Sequence, residues 1–219
     1  MRPAAAGVAL GLALAVGTPT AWALTRPPAA AGAPVEQVLG GPAEPSAGAP
    51  APAPPTPGVT TRDAAPTVAP EVVPPTRVAV PARGLDAPVE PVGAAPDGQM
   101  VIPDDVERAG WYRFGPVPGA PGSAVVAGHV DDAEQGLGAM AALREAEPGD
   151  EVVLTDAAGA ATRWRVVSRE SLDKQALPVD VLFRRDGPPR LTLVTCGGPF
   201  LPEVGGYRDN VVVVAEPVR

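Results

Sequence analysis

Cysteine and histidine occur once each in the 219 residues, as Cys196 and His129. A single thiol excludes an internal disulfide, and no His/Cys cluster is present to hold zinc. Asp131-Asp132 with Glu134 lacks the spacing of a calcium-binding loop, and no glycine-rich loop leads into a Lys-Ser or Lys-Thr pair. We therefore expect no metal and no cofactor. Basic residues form no stripe, and the net charge is −8 with a pI near 4.7. Nucleic-acid binding is excluded on that ground, and the negative charge is read as serving solubility.

Proline, by contrast, supplies 31 residues, almost three times its usual share, and it is unevenly spread. Residues 4–24 are uncharged and largely apolar, close to the ~20 residues that cross a bilayer as a helix. They read as a retained signal anchor or a cleaved signal peptide, since Ala21-Trp22-Ala23 has the small-x-small form of a cleavage site. On either reading the remainder is extracytoplasmic. Residues 25–75 hold no aromatic side chain and repeat Ala-Pro units. Such a segment buries too little apolar surface to fold, so it is expected to be a disordered spacer reaching on the order of 150 Å. One domain over residues 76–219 is left.

From Arg77 onward, short apolar runs alternate with turn residues. The segments 77–81, 88–93, 111–114, 124–129, 151–155, 162–167, 190–196 and 210–215 read as strands. Trp164 and Val166 should face one way, Arg163 and Arg165 the other. The runs from Arg190 and from Asn210 are almost wholly apolar and should be central, buried on both faces. Leu137, Met140 and Leu143 mark the one good helix, over 137–147. Many strands with one or two short helices predict a mainly β fold, a closed or nearly closed barrel.

The two unique residues each end an apolar run. His129 follows Ala124-Val125-Val126-Ala127-Gly128, and Cys196 follows Leu191-Thr192-Leu193-Val194-Thr195. Gly197-Gly198 keep bulk away from the sulfur and let backbone N–H groups face a carbonyl oxygen. Arg208, within Tyr207-Arg208-Asp209-Asn210, begins the last strand. Its guanidinium stays charged and offers paired donors; the plainer alternative is a salt bridge with Asp209. Arg184, Arg185 and Arg190 are rival cations without a motif. The pattern suggests a thiol nucleophile, a proton-transfer partner and a cation for developing negative charge. Thr195 is a candidate to steady the substrate or the loop. Asp131 either orients His129 or caps a turn, and Tyr207 and Phe200 either line a groove or pack the loop. The histidine-before-cysteine order disfavours a papain-like enzyme.

Thr192-Leu193-Val194-Thr195-Cys196, with a histidine upstream and an arginine downstream, resembles the Thr-Leu-x-Thr-Cys signature of sortases. Gly128-His129-Val130-Asp131 and Tyr207-Arg208-Asp209-Asn210 look most like the actinobacterial sortases of class F or E. The resemblance implies an eight-stranded barrel and a cysteine transpeptidase acting on a Leu-Pro-x-Thr-Gly-like signal. It implies His129, Cys196 and Arg208 as catalytic residues, with Thr195, Gly197, Asp131 and Tyr207 in support. The implied partners are a sorting-signal peptide, an amine nucleophile such as a peptidoglycan precursor, and the membrane holding the N-terminal segment; the domain is expected to be a monomer. Two alternatives remain: a non-enzymatic binding barrel, and an L,D-transpeptidase, whose Ser-His-Gly-Cys core is not matched by Val194-Thr195-Cys196.

Overall fold

The computed structural model describes residues 28–40 and 73–218. All eight expected strands are present, several longer than the apolar runs that announced them. They are β2 (Pro75–Val80), β3 (Leu85–Val92), β4 (Ala109–Tyr112), β5 (Ser123–Gly128), β8 (Glu151–Asp156), β9 (Ala161–Asp173), β10 (Arg190–Leu201) and β11 (Gly206–Pro217). A short hairpin, β6 (Asp131–Asp132) with β7 (Gly136–Leu137), follows β5. The order β9-β11-β10-β5-β4-β3-β2-β8 closes into a barrel because β8 also pairs with β9. Closure removes the sheet's free edges. The β5–β10 and β3–β4 pairs are parallel; the others are antiparallel.

Alternation sorts the residues as period-two sequences should. Leu191 and Leu193 of β10, Val211 and Val213 of β11, and Trp164 and Val166 of β9 point into one core. Arg163, by contrast, stays exposed and pairs with Glu151 on β8. The expected helix over 137–147 is instead a 3-10 helix over Ala139–Glu145. Its apolar residues recur every three positions, the 3-10 period. Met140 and Leu143 are buried, while Leu137 belongs to β7 and is 69% exposed.

A larger correction falls at residues 28–40, which were expected to be part of the disordered spacer. They form strand β1 (Ala30–Gly32), paired antiparallel with Ser168–Glu170 of β9, and helix α1 (Val35–Gly40). The rest of the spacer up to residue 72, and the apolar segment 4–24, lie outside the described residues. Among the described residues no helix is long and apolar enough to cross a membrane.

Docking of this strap has clear causes. Val35 and Leu39 lie four apart on one helix face and are buried against Val212 and Val214 of β11 and Leu182. The polar groups are matched as well. Glu170 accepts from the Val35 N–H at 3.1 Å, at the end of α1 where backbone donors lack partners. Arg184 donates to the carbonyls of Leu39 and Gly40 at 2.7 and 3.0 Å, completing the other end. Arg190 is bound to Glu216. Two of the three rival cations thus have structural employment away from the thiol. Ser168 donates to Ala33 at 2.5 Å, and buried Arg169 donates to Pro28 at 2.8 Å. Gly32, at φ 88°, lies where a Cβ would collide with the Val167 carbonyl, so only glycine fits there. The composition of residues 25–75 is that of a spacer on average, but one Val-x-x-x-Leu pair suffices when β11 leaves its outer face apolar.

Leu39→Ala should lower unfolding stability by about 2 kcal/mol, as removal of a buried leucine does. Urea midpoints of the full-length protein measure this; an unchanged midpoint would show that the strap contributes nothing to the fold.

Candidate active site

Strands β5, β10 and β11 are neighbours, and each carries one of the three residues singled out from the sequence. The parallel register pairs Val126 with Leu193 and Ala127 with Val194. Continuing it by two steps sets His129 level with Cys196. On the other side of β10, Cys196 pairs with Asn210 and Gly197 with Asp209. Arg208 is the next residue along β11. Because Leu191, Leu193, Ala124 and Val126 fill the core, alternation sends His129 and Cys196 to the barrel's outer face, and Arg208 lies at the same end of the neighbouring strand β11.

Thr195 holds that end together. Its buried hydroxyl donates to the carbonyl of Gly128 at 2.9 Å, joining the residues that immediately precede Cys196 and His129. Cys196 is a free thiol with a partly exposed side chain, and His129 is likewise half-buried. Cys196 was expected to sit where β10 runs out. Instead β10 continues to Leu201 across an irregularity between Gly197 and Phe200. The thiol therefore projects from within a strand, beside a backbone distortion. Gly198 has φ 69°, and a Cβ there would overlap the carboxylate of Asp209. Glycine is required at this position for both reasons.

Arg208 forms the ion pair that was the plainer alternative. Its Nε and Nη2 donate to the two carboxylate oxygens of Asp209 at 2.6 and 2.9 Å. The Arg208 side chain remains 52% exposed, whereas that of Asp209 is 7% exposed. Ser171 of β9 donates to the same carboxylate at 3.2 Å. The Arg208 hydrogen bonds hold the Asp209 carboxyl below the ordinary carboxylate range, outweighing the burial that pushes it up. Among the described residues Asp131 makes no hydrogen bond to His129; its carboxylate accepts from the Tyr207 hydroxyl. That bond, followed by burial, pushes the phenol's pKa up. The Arg144 guanidinium lies 5.2 Å from the Tyr207 ring centre, and Phe200 packs edge-on at 5.4 Å. Tyr207 and Phe200 therefore pack against one another, and Phe200, Val204 and Leu137 leave large apolar surfaces in solvent.

Asp209 and Ser171 were not among the expected site residues. Asp209 stood in the quoted Tyr207-Arg208-Asp209-Asn210 run, so its signal was present. Ser171 had none, because only the pairing of β9 with β11 brings it there. Among the described residues no group of three or more His, Cys, Asp or Glu is arranged to hold a metal.

Comparison with known proteins assigns this arrangement to a class. A family model described as the sortase domain matches residues 78–218, more than half of the chain. The chain belongs to the sortase family. Sortase A of Listeria monocytogenes superposes with a TM-score of 0.51 at 22% identity, over 68% of this chain and 89% of that one. Sortase A from Corynebacterium diphtheriae gives 0.51 at 17% identity, over 69% and 63%. Sortase C-1 from Streptococcus pneumoniae gives 0.50 at 18%, over 66% of each chain. At these identities the structural likeness establishes the barrel fold. No curated protein sequence matches the chain.

A carboxylate with a depressed folded pKa adds stability that is complete above its unfolded value, about pH 4. That stability is lost as the pH falls through the folded value. The difference in stability between wild type and Asp209→Asn should therefore be greatest near neutrality and shrink below about pH 4. Urea unfolding across that range measures it; a constant difference would rule out ionic coupling at Asp209.

Proposed function

We propose that this chain is an extracytoplasmic cysteine transpeptidase of the actinobacterial class F or E type, cleaving a Leu-Pro-x-Thr-Gly-like sorting signal. The observation that supports the reading is the register of β5, β10 and β11, in which His129, Cys196 and Arg208 all fall at the same end of three adjacent strands. The motifs around them, Gly128-His129-Val130-Asp131, Thr195-Cys196-Gly197-Gly198 and Tyr207-Arg208-Asp209-Asn210, support the finer class.

The chemistry follows from the residue types. The thiolate of Cys196 is the nucleophile. It attacks the carbonyl carbon of the signal's threonine, and the electron pair of the carbonyl moves onto oxygen. Arg208 stabilises that oxyanion, a role suited to a cation whose position does not change during the step. The intermediate collapses, the C–N bond to glycine breaks, and His129 gives its proton to the departing amine. A thioester on Cys196 remains. An incoming amine, such as that of a peptidoglycan precursor, then attacks the thioester carbon while His129 takes its proton. An amide forms and the thiolate leaves. Splitting one difficult exchange into two easier ones is the general advantage of covalent catalysis. The exposed Phe200 and Leu137 offer apolar contact for a substrate that begins with leucine and proline. Thr195 acts by holding the thiol's strand through its hydrogen bond to Gly128. The N-terminal apolar segment, in this reading, attaches the enzyme to the outer side of the cell membrane.

Full-length protein incubated with a library of sorting-signal peptides should accumulate a thioester at Cys196, detected by intact mass, and release a glycine-initiated fragment. Cys196→Ala should lose both signals. Cleavage retained by that variant would end the proposal.

A further inference from the structure

We propose that Asp209 is a positioning residue for the reaction: it grips one edge of the Arg208 guanidinium and thereby presents the other edge to the carbonyl attacked by Cys196. This inference rests on the transpeptidase reading above and adds a residue to it.

The geometry divides the arginine into two halves. A guanidinium has five N–H donors in a rigid plane. Nε and Nη2 are both committed to Asp209, whereas Nη1 donates to no protein atom among the described residues. An arginine held this way has one edge fixed and one available. Without a fixed partner, a half-exposed arginine side chain samples many rotamers, and a donor aimed at a developing oxyanion is effective only if already in place.

Asp209 is itself well held. Its side chain is almost wholly buried, Ser171 donates to it from β9, and its carboxylate packs against the backbone of Gly198. Gly198 is the second residue after the thiol. The same carboxylate thus contacts both the cation and the backbone beside the nucleophile. Buried carboxylates require a cation or several donors, so the carboxylate and the guanidinium constrain each other. Ser171 is tied in turn through its own N–H, which donates to the carbonyl of Ala29 at 2.8 Å. The positioning group therefore rests on β9 and on the docked strap, not on a mobile loop.

The test is a double-mutant cycle on the full-length protein. Asp209→Ala should lower kcat about 10- to 100-fold, less than the ~100- to 1000-fold lost when an oxyanion donor is removed outright, while KM changes by less than about threefold. Arg208→Ala should lower kcat by at least as much, and the double variant should match Arg208→Ala within about twofold, since one residue acts through the other. A purely structural aspartate would instead lower activity further in the Arg208→Ala background, and that additive loss would overturn the proposal. Should Asp209→Ala fail to fold, Ser171→Ala removes one donor from the same carboxylate. It should reduce kcat in the wild type but not in Arg208→Ala, and a reduction in both would count against the proposal. A measurement independent of peptide substrate is the arginine Nε–H resonance in 1H–15N spectra. The Arg208 signal should be protected in the wild type and lost to exchange in Asp209→Asn. A wild type that forms no thioester would sink the transpeptidase reading, whereas an Arg208 signal indifferent to Asp209→Asn would sink this one.

Discussion

The hydroxyl of Thr195, donating to the carbonyl of Gly128, fixes the separation between two strands at the point where they lead to His129 and Cys196. One residue further along β5 is His129, and one further along β10 is Cys196. The two are 67 positions apart in the chain, so nothing local relates them. Parallel pairing of β5 and β10 supplies the register, but strand ends fray, and a ladder that stops at Ala127–Val194 would leave the next two residues free. A buried hydroxyl beyond the last paired residues continues the clamp by one step. Losing such a buried bond costs about 1–3 kcal/mol in general, because the carbonyl stays unsatisfied. At this site the larger consequence is geometric, since imidazole and thiol would no longer be held to one spacing.

β11 is the second constraint, because both its faces are used. Val211, Val213 and Ala215 fill the barrel, and Val212 and Val214 are covered from outside by α1 and Leu182. A strand buried on both sides is nearly continuous in apolar residues, and β11 reads that way from Val211 to Ala215. The pattern breaks at Asp209 and Arg208, where the cover ends. The transition from apolar to charged along one strand therefore marks the boundary between the doubly packed part of β11 and the end that carries the candidate site.

That boundary was legible in the sequence, as were the eight strands, because period-two alternation and unbroken apolar runs are local signals. Two of the three candidate residues, His129 and Cys196, were picked out for another reason: each is the only one of its kind and ends an apolar run, whereas Arg208 was singled out by its Tyr207-Arg208-Asp209-Asn210 motif. What the sequence did not disclose depends on distance in the chain. The strap at 28–40 is hidden inside a proline-rich average, and its partners Glu170, Arg184 and Val212 lie more than a hundred residues away. Arg184 carries no local motif because its role is to complete a distant helix end. The 3-10 helix was misjudged in type rather than position, since spacing by three fits both helices until the fourth residue is examined. Asp131 was read as either orienting its sequence neighbour His129 or capping a turn, and neither reading included Tyr207, which the fold brings back onto it. Sequence proximity is weak guidance at the end of a strand, where the chain turns.

Ser171 joins these separate findings. Its side chain donates to Asp209 and its backbone N–H to Ala29. One residue thus links the N-terminal strap to the carboxylate that holds Arg208. The neighbouring Arg169, buried on the same strand, binds the carbonyls of Pro28 and Ala146 and gains no carboxylate hydrogen bond. Burial pushes its pKa down, and carbonyl dipoles take the place that a counter-ion would have. A buried cation satisfied only by carbonyls is costly to strand, so the strap cannot leave without exposing Arg169 to loss of one of its two acceptors. The strap's residence on β9 and the order of the charged groups at the end of β11 are therefore consequences of the same strand pairing, and Ser171 is the residue at which a side-chain bond to Asp209 and a backbone bond to the strap coincide.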